Sequence, residues 1–399
     1  MTTPRRHLLV TNDFPPKLGG IQTYLHELWS RLPADSFAVL TTPHAGAEAF
    51  DAAQPFPIER TREPLLLPHP GLVGRVNRLC RRYDAGLVLL DPALPVGLIG
   101  PHLERPYGVV LHGAEVTIPG RLPGLRRLLA RVLDRAELVV AAGNYPLAEG
   151  ERCLGRALPA VVVPPGVDAD RFRPFTEQQR AEARADLGIG ADTFVVATVN
   201  RLVARKGMDV LIDATKLLVD RGHDVLTLIG GTGRCHDDLL AQVDRTGSPV
   251  RILGRIDEAT KARLYGAADA MAMLCHDRWM GLEQEGFGIV FLEAAAAAVP
   301  QVAGRSGGAH EAVEDGVTGI IVDEPRRPAE VARALETLLT DRLTLHRMGE
   351  AARKRAIAEF DQRALADSLG AAINRTLGVV PDGSPNDDLG SGRIDPTPA

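Results

Sequence analysis

Short apolar runs alternate with longer stretches of helical periodicity along this chain of 399 residues. Twelve of the runs are continuously apolar rather than alternating, which is typical of parallel strands buried on both faces. The runs are Leu8–Thr11, Phe37–Thr41, Leu87–Leu90, Val109–Leu111, Leu138–Ala141, Ala160–Val163, Phe194–Val199, Val225–Ile229, Val250–Leu253, Ala270–Leu274, Gln301–Ala303 and Gly319–Val322. Because segments of helical length separate them, the pattern predicts strand–helix–strand units and an α/β fold.

A proline- and glycine-rich break runs from Val163-Pro164-Pro165-Gly166 to Pro174. Such a stretch can continue neither a helix nor a central strand, so we place a domain boundary there. About six strands remain on each side, which is enough for one Rossmann-like domain apiece, with a ligand cleft between the two. The predicted segments are an acceptor-side domain (1–165), a donor-nucleotide domain (166–358), a helix that packs back on the first domain (359–377) and a disordered tail (378–399).

Composition narrows the class of protein only slightly. The chain is 45% hydrophobic and 24% charged, as expected for a globular protein, and its net charge of -5 argues against a general nucleic-acid binder. Its four cysteines form no C-x-x-C pair, which favours a reduced, cytoplasmic protein without a structural metal. No signal peptide and no run long enough to span a bilayer is recognisable, so any membrane contact is expected to be peripheral.

Two segments of the first half can face a ligand. Asn12 to Ile21 leads from a strand to a helix start through Gly19 and Gly20, where backbone N–H groups can approach an anion. A tight structural turn explains these glycines equally well. His112 directly follows a strand, where it can exchange a hydrogen bond with a sugar, although a lone histidine is more often structural.

Cations and glycines follow strands of the second half. Arg201, Arg205 and Lys206 lie between a strand and a helix start, where they can clamp a diphosphate and stabilise charge on a leaving nucleotide. A solvated loop is the alternative, but cations oppose the dipole of the following helix. The turn Gly230–Gly233 lacks the G-x-G-x-x-G spacing of a dinucleotide site, which counts against an NAD-dependent oxidoreductase.

The most specific pattern is a pair of glutamates eight residues apart, Glu285 and Glu293. On a helix this spacing returns near the same face, and we place Glu285 before the helix and Glu293 two turns into it. The segment between and after them is apolar on all sides, so the helix is expected to be buried. Buried carboxylates are costly without partners, so we assign one to the transferred sugar and the other to a ribose diol.

Three further segments stay open to more than one interpretation. Gly304 to Glu311 can close the donor pocket or form a plain glycine turn. The arginine-rich stretches Gly74–Tyr83 and Arg121–Arg135 can lie on an anionic membrane or be solvated helix faces.

Taken in order, these segments resemble the family-four retaining glycosyltransferases of the GT-B fold, over about residues 7–376. The E-x7-E element from Glu285 to Glu293 and the R-x4-K element from Arg201 are hallmarks of that family. The opening N-D-F-P-P-x-x-G-G-I-Q and the R-L-V-x-R-K-G segment are similar to those of the actinobacterial GDP-mannose-dependent phosphatidylinositol-monomannoside mannosyltransferases.

The resemblance implies roles for the matching positions. It implies that Arg201 and Lys206 bind the donor diphosphate, while Glu285, His112 and the segment around it hold the transferred sugar. The remaining implied donor contacts are Gly19 and Gly20 to the phosphate, Ile256 to the base, Phe287, Gly288 and Ile289 through the glycine-rich turn, and Glu293 to the ribose.

It also implies mannose transfer to a phosphatidylinositol mannoside at the inner face of the plasma membrane, with retention of configuration and no cofactor or metal. Catalysis then rests on charge stabilisation, so loss of Arg201 or Lys206 is expected to lower kcat far more than stability.

Three positions depart from the pattern of these mannosyltransferases. Ala114 stands where they carry a histidine, His310 where they carry proline and Ala298 where they carry glycine. The change at Ala114 affects the acceptor side. Physics alone leaves GDP and UDP open as donors, and a different glycolipid, polysaccharide or small-molecule acceptor remains an alternative, as does a non-catalytic sugar- or lipid-binding protein.

Overall fold

The computed structural model describes residues 6–278 and 284–379. Thirteen strands occur in these ranges, all of them in parallel pairs. They are Arg6–Thr11 (β1), Phe37–Thr41 (β2), Ile58–Arg60 (β3), Ala85–Asp91 (β4), Tyr107–Leu111 (β5), Leu138–Ala141 (β6), Ala160–Val162 (β7), Phe194–Val199 (β8), Val225–Gly230 (β9), Val250–Gly254 (β10), Ala270–Met273 (β11), Gln301–Gly304 (β12) and Gly319–Val322 (β13).

Fifteen α-helices occupy the same described ranges. They are Gly20–Trp29 (α1), Ala47–Ala52 (α2), Pro70–Tyr83 (α3), Ala114–Arg121 (α4), Pro123–Asp134 (α5), Asn144–Leu154 (α6), Glu177–Asp186 (α7), Met208–Asp220 (α8), His236–Thr246 (α9), Glu258–Ala267 (α10), Ile289–Ala296 (α11), Ala309–Ala312 (α12), Pro328–Thr340 (α13), Arg342–Glu359 (α14) and Gln362–Thr376 (α15). Short 3-10 turns cover Val96–His102 and Ala204–Lys206. None of these helices is both long and apolar enough to cross a membrane.

The strands form two separate sheets. The first has the order β3-β2-β1-β4-β5-β6-β7 and the second the order β10-β9-β8-β11-β12-β13. In each sheet the strand order reverses beside the first strand of its half, between β1 and β4 and between β8 and β11. Ligands of such sheets bind at the carboxyl ends of strands around this reversal. The prediction of two Rossmann-like α/β domains is confirmed.

Buried apolar side chains cover both faces of the two sheets. In β1, for example, Leu8, Leu9 and Val10 are all fully buried, although successive side chains point to opposite faces. This two-sided burial is why the continuous apolar runs coincide with strands. The edge strands of the first sheet are less buried, and β3 offers only Ile58 as an apolar residue.

The last described helix, α15, packs against α1, β6 and β7 of the first sheet. Its apolar face, with Leu365, Leu369 and Ile373, is buried in the same core as Trp29 of α1. Between β7 and α7 the chain forms only an isolated bridge from Val167 to Asp361. The tail predicted to be disordered lies outside the described residues except for its first two.

The position where the resemblance leads us to expect glycine is strained in this chain. Ala298 follows α11 with φ of 59°, the left-handed region that costs a residue with a Cβ about 1–2 kcal/mol. We expect Ala298→Gly to raise the free energy of unfolding by about 1 kcal/mol, since relief of this strain exceeds the entropy that glycine adds to the unfolded chain. Urea unfolding of both proteins measures the change, with Ala297→Gly as control, because Ala297 has an ordinary φ of -81° and should only lose stability.

Candidate functional site

Three cations follow β8 at the carboxyl edge of the second sheet. Arg201 is exposed, Arg205 is partly buried, and Lys206 is only 7% exposed. The 3-10 turn that carries Lys206 packs tightly on β11, because Gly207 has φ of 67° and a Cβ there would lie 2.5 Å from the carbonyl oxygen of Leu274. The turn thereby directs the Lys206 ammonium inward.

The Glu285 carboxylate lies directly against these cations. Its Oε2 is 2.6 Å from Lys206 Nζ and 3.7 Å from an Arg205 guanidinium nitrogen, and the Cys275 thiol donates to it at 3.5 Å. Burial raises the pKa of Glu285, but Lys206 and Arg205 outweigh burial and hold that pKa below its usual value. The carboxylate is therefore ionised. Arg201 follows the same strand, and with it these four residues sum to two net positive charges.

The net charge of this cluster matches a diphosphate. A pyrophosphate bridge of a nucleotide sugar carries two negative charges, which the three cations can neutralise while Glu285 keeps Lys206 in place. Arg205 Nε is moreover buried without a hydrogen-bond partner among the described residues. Such an unsatisfied buried donor is costly unless a ligand accepts from it.

A second glycine turn fixes the backbone around Glu285. The N–H of Gly308 donates to the carbonyl oxygen of Glu285 at 2.9 Å. A Cβ on Gly307 or Gly308 would lie 2.2 Å or 2.1 Å from the carbonyl oxygens of Glu285 and Gly286. Of the two interpretations of the segment Gly304 to Glu311, the structure thus supports a close-packed turn that borders the Glu285 site.

Glu285 precedes the helix as predicted, but the position predicted for Glu293, two turns into the helix, is wrong. The helix begins at Ile289, so Glu285 lies four residues before it and Glu293 is its fifth residue, one turn in rather than two. Gly288, with φ of 89°, prevents an earlier helix start. The expected burial of α11 is confirmed, since Phe291, Leu292 and Ala294 are each at most 1% exposed.

Glu293 points away from the cation cluster into a separate pocket. Its Oε1 is 2.6 Å from Lys261 Nζ, while its Oε2 is buried without a hydrogen-bond partner among the described residues. Burial raises the pKa of Glu293, and Lys261 offsets this only in part. The pocket also contains Arg171 and Glu258. The hydroxyl groups of a ribose diol could donate hydrogen bonds to the unpaired Oε2 of Glu293. The ribose role of Glu293 therefore stays a prediction with structural support.

Glu293→Gln is expected to weaken donor affinity by about 10- to 100-fold, because hydrogen bonds to charged groups contribute about 1.5–3 kcal/mol. Isothermal calorimetry with the nucleotide donor measures the change. Glu336→Gln is the control, since Glu336 is a partly exposed glutamate that pairs with Arg221 and His223 and does not line this pocket. An unchanged affinity in the Glu293 variant would remove the ribose assignment.

His112 lies at the carboxyl end of β5 and is held from two sides. Its Nε2 is 2.6 Å from Asp91 Oδ1, and the edge of Tyr24 contacts its ring with centroids 5.4 Å apart. Burial lowers the pKa of His112, but the Asp91 carboxylate outweighs burial and raises it above its usual value. The backbone N–H groups of His112 and Gly113 both donate to Glu115 at 2.5 Å and 3.0 Å.

Asp91 is in turn oriented by Thr11. The Thr11 hydroxyl accepts from the N–H of Asp13 at 2.8 Å and donates to Asp91 Oδ2 at 2.5 Å. Both residues are fully buried at the ends of β1 and β4, where the strand order reverses. The sequence analysis did not identify Asp91, although its place at the end of a continuously apolar run was a usable signal.

The two domains meet where His112 faces the Glu285 segment. A Cβ on Gly286 would lie 3.0 Å from the carbonyl oxygen of His112, and one on Gly113 3.5 Å from the Cα of Gly286. The structure therefore brings His112, Glu285, Arg205 and Lys206 to one cleft between the sheets. Arg205 was a candidate cation of its segment but not one of the donor contacts that the resemblance implied, and its pairing with Glu285 now places it at the site.

The remaining predicted donor contacts lie around this cleft. Gly20 begins α1 and Gly19 precedes it, with open space above Gly20. Phe287 is buried against Phe360, with centroids 5.7 Å apart, and connects Glu285 to α11. Ile256 follows β10 and packs over Gly230. A Cβ on Gly230 would lie 2.8 Å from the Cδ1 of Ile256. Their ligand roles stay predictions.

The glycine turn after β9 has a structural explanation. A Cβ on Gly231 would lie 1.9 Å from the carbonyl oxygen of Asn200, and one on Gly233 2.3 Å from that of Leu202. The turn therefore supports the loop that carries Arg201. Within residues 6–278 and 284–379, no group of three or more histidine, cysteine, aspartate and glutamate side chains is arranged to hold a metal ion.

Comparison with known proteins identifies the family of the chain. Residues 18–171 match the family described as Glycosyltransferase Family 4, and residues 179–355 match Glycosyl transferases group 1. The chain is 36% identical over 376 residues to a GDP-mannose-dependent alpha-(1-6)-phosphatidylinositol monomannoside mannosyltransferase of Mycobacterium tuberculosis, covering 91% of this chain and 97% of that protein. It is 32% identical to a GDP-mannose-dependent monoacylated alpha-(1-6)-phosphatidylinositol monomannoside mannosyltransferase of Corynebacterium glutamicum, covering 92% and 98%.

Solved structures show the same fold. Anabaena HepE in complex with UDP and glucose superposes with a TM-score of 0.77 at 23% identity, covering 93% of this chain and all of that one. Sucrose-phosphate synthase from Thermosynechococcus elongatus superposes with a TM-score of 0.77 at 20% identity, covering 94% and 100%. The predicted GT-B fold is thus confirmed. The chain belongs to the family of GT-B glycosyltransferases that includes the GDP-mannose-dependent phosphatidylinositol monomannoside mannosyltransferases.

Proposed function

We propose that this enzyme transfers mannose from GDP-mannose to a phosphatidylinositol mannoside with retention of configuration. The observation that carries the proposal is the pairing of Arg205 and Lys206 with an ionised Glu285 at the carboxyl edge of the second sheet, in the segment that begins with the exposed Arg201. This arrangement suits a diphosphate next to a sugar. The names of the relatives that match nearly the full chain supply the donor and the acceptor class.

In the proposed mechanism, the acceptor hydroxyl attacks the anomeric carbon on the face from which the diphosphate departs. The leaving phosphate oxygen takes the proton of that hydroxyl, so the carboxylates are not needed as an acid–base pair. Arg201, Arg205 and Lys206 stabilise the charge that develops on the diphosphate. Glu285 and His112 hold sugar hydroxyls in the orientation that the attack requires.

A transfer screen tests donor and acceptor separately. The purified chain is incubated with GDP-mannose, UDP-glucose or UDP-N-acetylglucosamine, first alone and then with phosphatidylinositol monomannoside. We expect turnover with GDP-mannose that rises when the lipid is added. Turnover with another nucleotide sugar would overturn the donor assignment, and GDP-mannose hydrolysis that the lipid does not accelerate would overturn the acceptor assignment.

We also propose a peripheral contact with the anionic inner face of the plasma membrane, through the surface formed by residues 118–128. Residues 121 to 128 are all exposed, and they include three leucines that are 40–43% exposed, Leu122, Leu125 and Leu128. Arg126 and Arg127 lie between them and pair with no described carboxylate. Exposed apolar side chains among cations are typical of a helix that lies in a lipid interface.

The other arginine-rich helix has local partners instead. Arg81 and Arg82 of α3 lie 2.6 Å and 2.9 Å from Glu104 and Glu59, so α3 is better explained as an ion-paired surface.

Vesicle flotation tests the membrane proposal. We expect binding to vesicles that contain phosphatidylinositol but not to pure phosphatidylcholine, and loss of binding when Leu122, Leu125 and Leu128 are replaced by serine. Leu343→Ser on α14 is the control, since Leu343 is 84% exposed and lies elsewhere. Undiminished binding of the triple variant would overturn the proposal for this surface.

A further inference from the structure

The N-terminus of α6 in the first domain is capped by a carboxylate from the second domain. Glu311 of α12 accepts from the backbone N–H of Asn144 at 2.7 Å and from that of Tyr145 at 2.5 Å, and the Asn144 side-chain amide donates to it at 3.3 Å. The residues are 166 or 167 positions apart in the chain. We call this arrangement the closure contact.

The α6 helix supplies no cap of its own. Its N-cap is Gly143, which has no side chain and makes no capping hydrogen bond. A Cβ on Gly143 would lie 3.0 Å from Glu311 Oε2, so the glycine leaves the room that the carboxylate occupies. Orphan N–H groups and the positive end of the helix dipole favour an anion at this place. They find it only when the two domains are together.

The closure contact is joined to the sugar-binding carboxylate from both sides. The turn that leads into α12 donates to the backbone of Glu285 through Gly308 N–H at 2.9 Å. On the other side, the Tyr145 hydroxyl bonds to the side chain of Gln284, directly before Glu285, and lies 3.1 Å from the Thr117 hydroxyl. The Arg355 guanidinium donates to the backbone carbonyl oxygen of Glu311 at 2.9 Å and so holds this backbone in place.

We infer that Glu311 is a positioning residue that holds the two domains closed by capping α6, and that it thereby fixes Glu285 opposite His112. Glu311 acts through the Glu285 segment and does not touch the reacting atoms. When the domains separate, α6 loses its cap. In the same step, the Glu285 segment loses its contact with Tyr145. Domain opening and release of the sugar-binding carboxylate are therefore coupled.

Amide hydrogen exchange tests the closure contact without any substrate. We expect Glu311→Gln to accelerate exchange at Asn144 and Tyr145 by roughly 3- to 30-fold, the range that corresponds to loss of one N-terminal cap. Glu314→Gln is the matched control, since Glu314 is exposed three residues further on. Unchanged exchange at the start of α6 in the Glu311 variant would overturn the inference.

Gly143→Ala provides an independent variant in the other domain. Gly143 has φ of 163°, extended backbone that any residue adopts, and the atoms nearest to the new Cβ are those of the Glu311 carboxylate. We expect faster exchange in Gly143→Ala alone, and no further effect of that substitution once Glu311 is alanine. Equal effects of Gly143→Ala in both backgrounds would contradict a direct contact.

A kinetic test of Glu311 rests on the proposed function, because it requires turnover of GDP-mannose. With GDP-mannose, Glu311→Gln is expected to lower kcat and to raise the donor KM together, as for other residues that control domain closure. A purely structural role would lower Tm and leave both constants unchanged at 25 °C. If the wild type does not use GDP-mannose, the proposed function fails while the exchange measurements still decide the role of Glu311.

Discussion

Arg201→Ala is expected to lower kcat by about 100- to 1,000-fold while the free energy of unfolding stays within about 0.5 kcal/mol of wild type. Arg201 is exposed and pairs with no carboxylate of the described residues, so the fold does not depend on its guanidinium. Its proposed task arises only when a diphosphate leaves. An interaction made mainly in the transition state lowers kcat when it is removed.

Initial rates at saturating GDP-mannose, together with urea unfolding, measure both quantities on the same preparations. Arg333→Ala is a matched control, since Arg333 is an exposed arginine on α13 that pairs with Glu330. A variant at Arg201 with wild-type turnover would refute its assignment to the leaving group.

The expectation for Lys206 changes once its surroundings are known. Lys206 is buried and pairs with Glu285 at 2.6 Å, so its removal leaves a carboxylate without its closest counter-charge. Breaking a buried pair from one side typically costs about 3–5 kcal/mol. Lys206→Ala therefore confounds activity with stability, and Arg201 is the position at which the catalytic proposal can be tested cleanly.

The fold was predictable because its strands are buried on both faces. Continuous apolar runs such as Phe37–Thr41 and Phe194–Val199 coincide with β2 and β8 to the residue. The short edge strand Ile58–Arg60 was missed, since a half-buried strand with a single apolar side chain carries no such signal.

The site was predictable only in part, because its geometry depends on contacts between distant segments. Local spacing suggested that Glu285 and Glu293 lie near the same face, but the helix begins only after Gly288 and the two carboxylates face different partners, Lys206 and Lys261. The partnership of Asp91 with His112 links β4 to β5 and has no local signature. Only the fold brings these pairs together.

Asp91→Asn is expected to abolish the pH dependence that His112 gives to the reaction. In the wild type, the Thr11 hydroxyl accepts from Asp13 N–H and donates to Asp91. We expect it to keep this direction in the variant, so that the asparagine oxygen turns toward Thr11 and the amide N–H toward His112. In the wild type, His112 Nε2–H donates to Asp91, and Nδ1 carries a proton only in the imidazolium. In the variant, Nε2 accepts, and the neutral ring keeps a proton on Nδ1.

The sign of the effect follows from the pKa of His112, which Asp91 raises above the usual value despite burial. The wild type should lose kcat/KM as the pH rises through this raised pKa, because Nδ1 can then no longer donate to a sugar oxygen. Asp91→Asn should show no such alkaline decline. At neutral pH its rate should be about tenfold lower, since a neutral donor forms a hydrogen bond about half as strong as a charged one.

Profiles of kcat/KM against pH for wild type, Asp91→Asn and His112→Gln test whether His112 causes the alkaline decline. The glutamine variant lacks the titrating ring, so it separates loss of the His112 titration from any packing defect around the buried Asp91. Melting curves give a second measure, because the pair stabilises the fold most below pH 6.5 and this contribution is lost as the pH rises through the raised pKa. If the alkaline decline persists in both variants, it belongs to another group, and His112 acts as a neutral contact to the sugar.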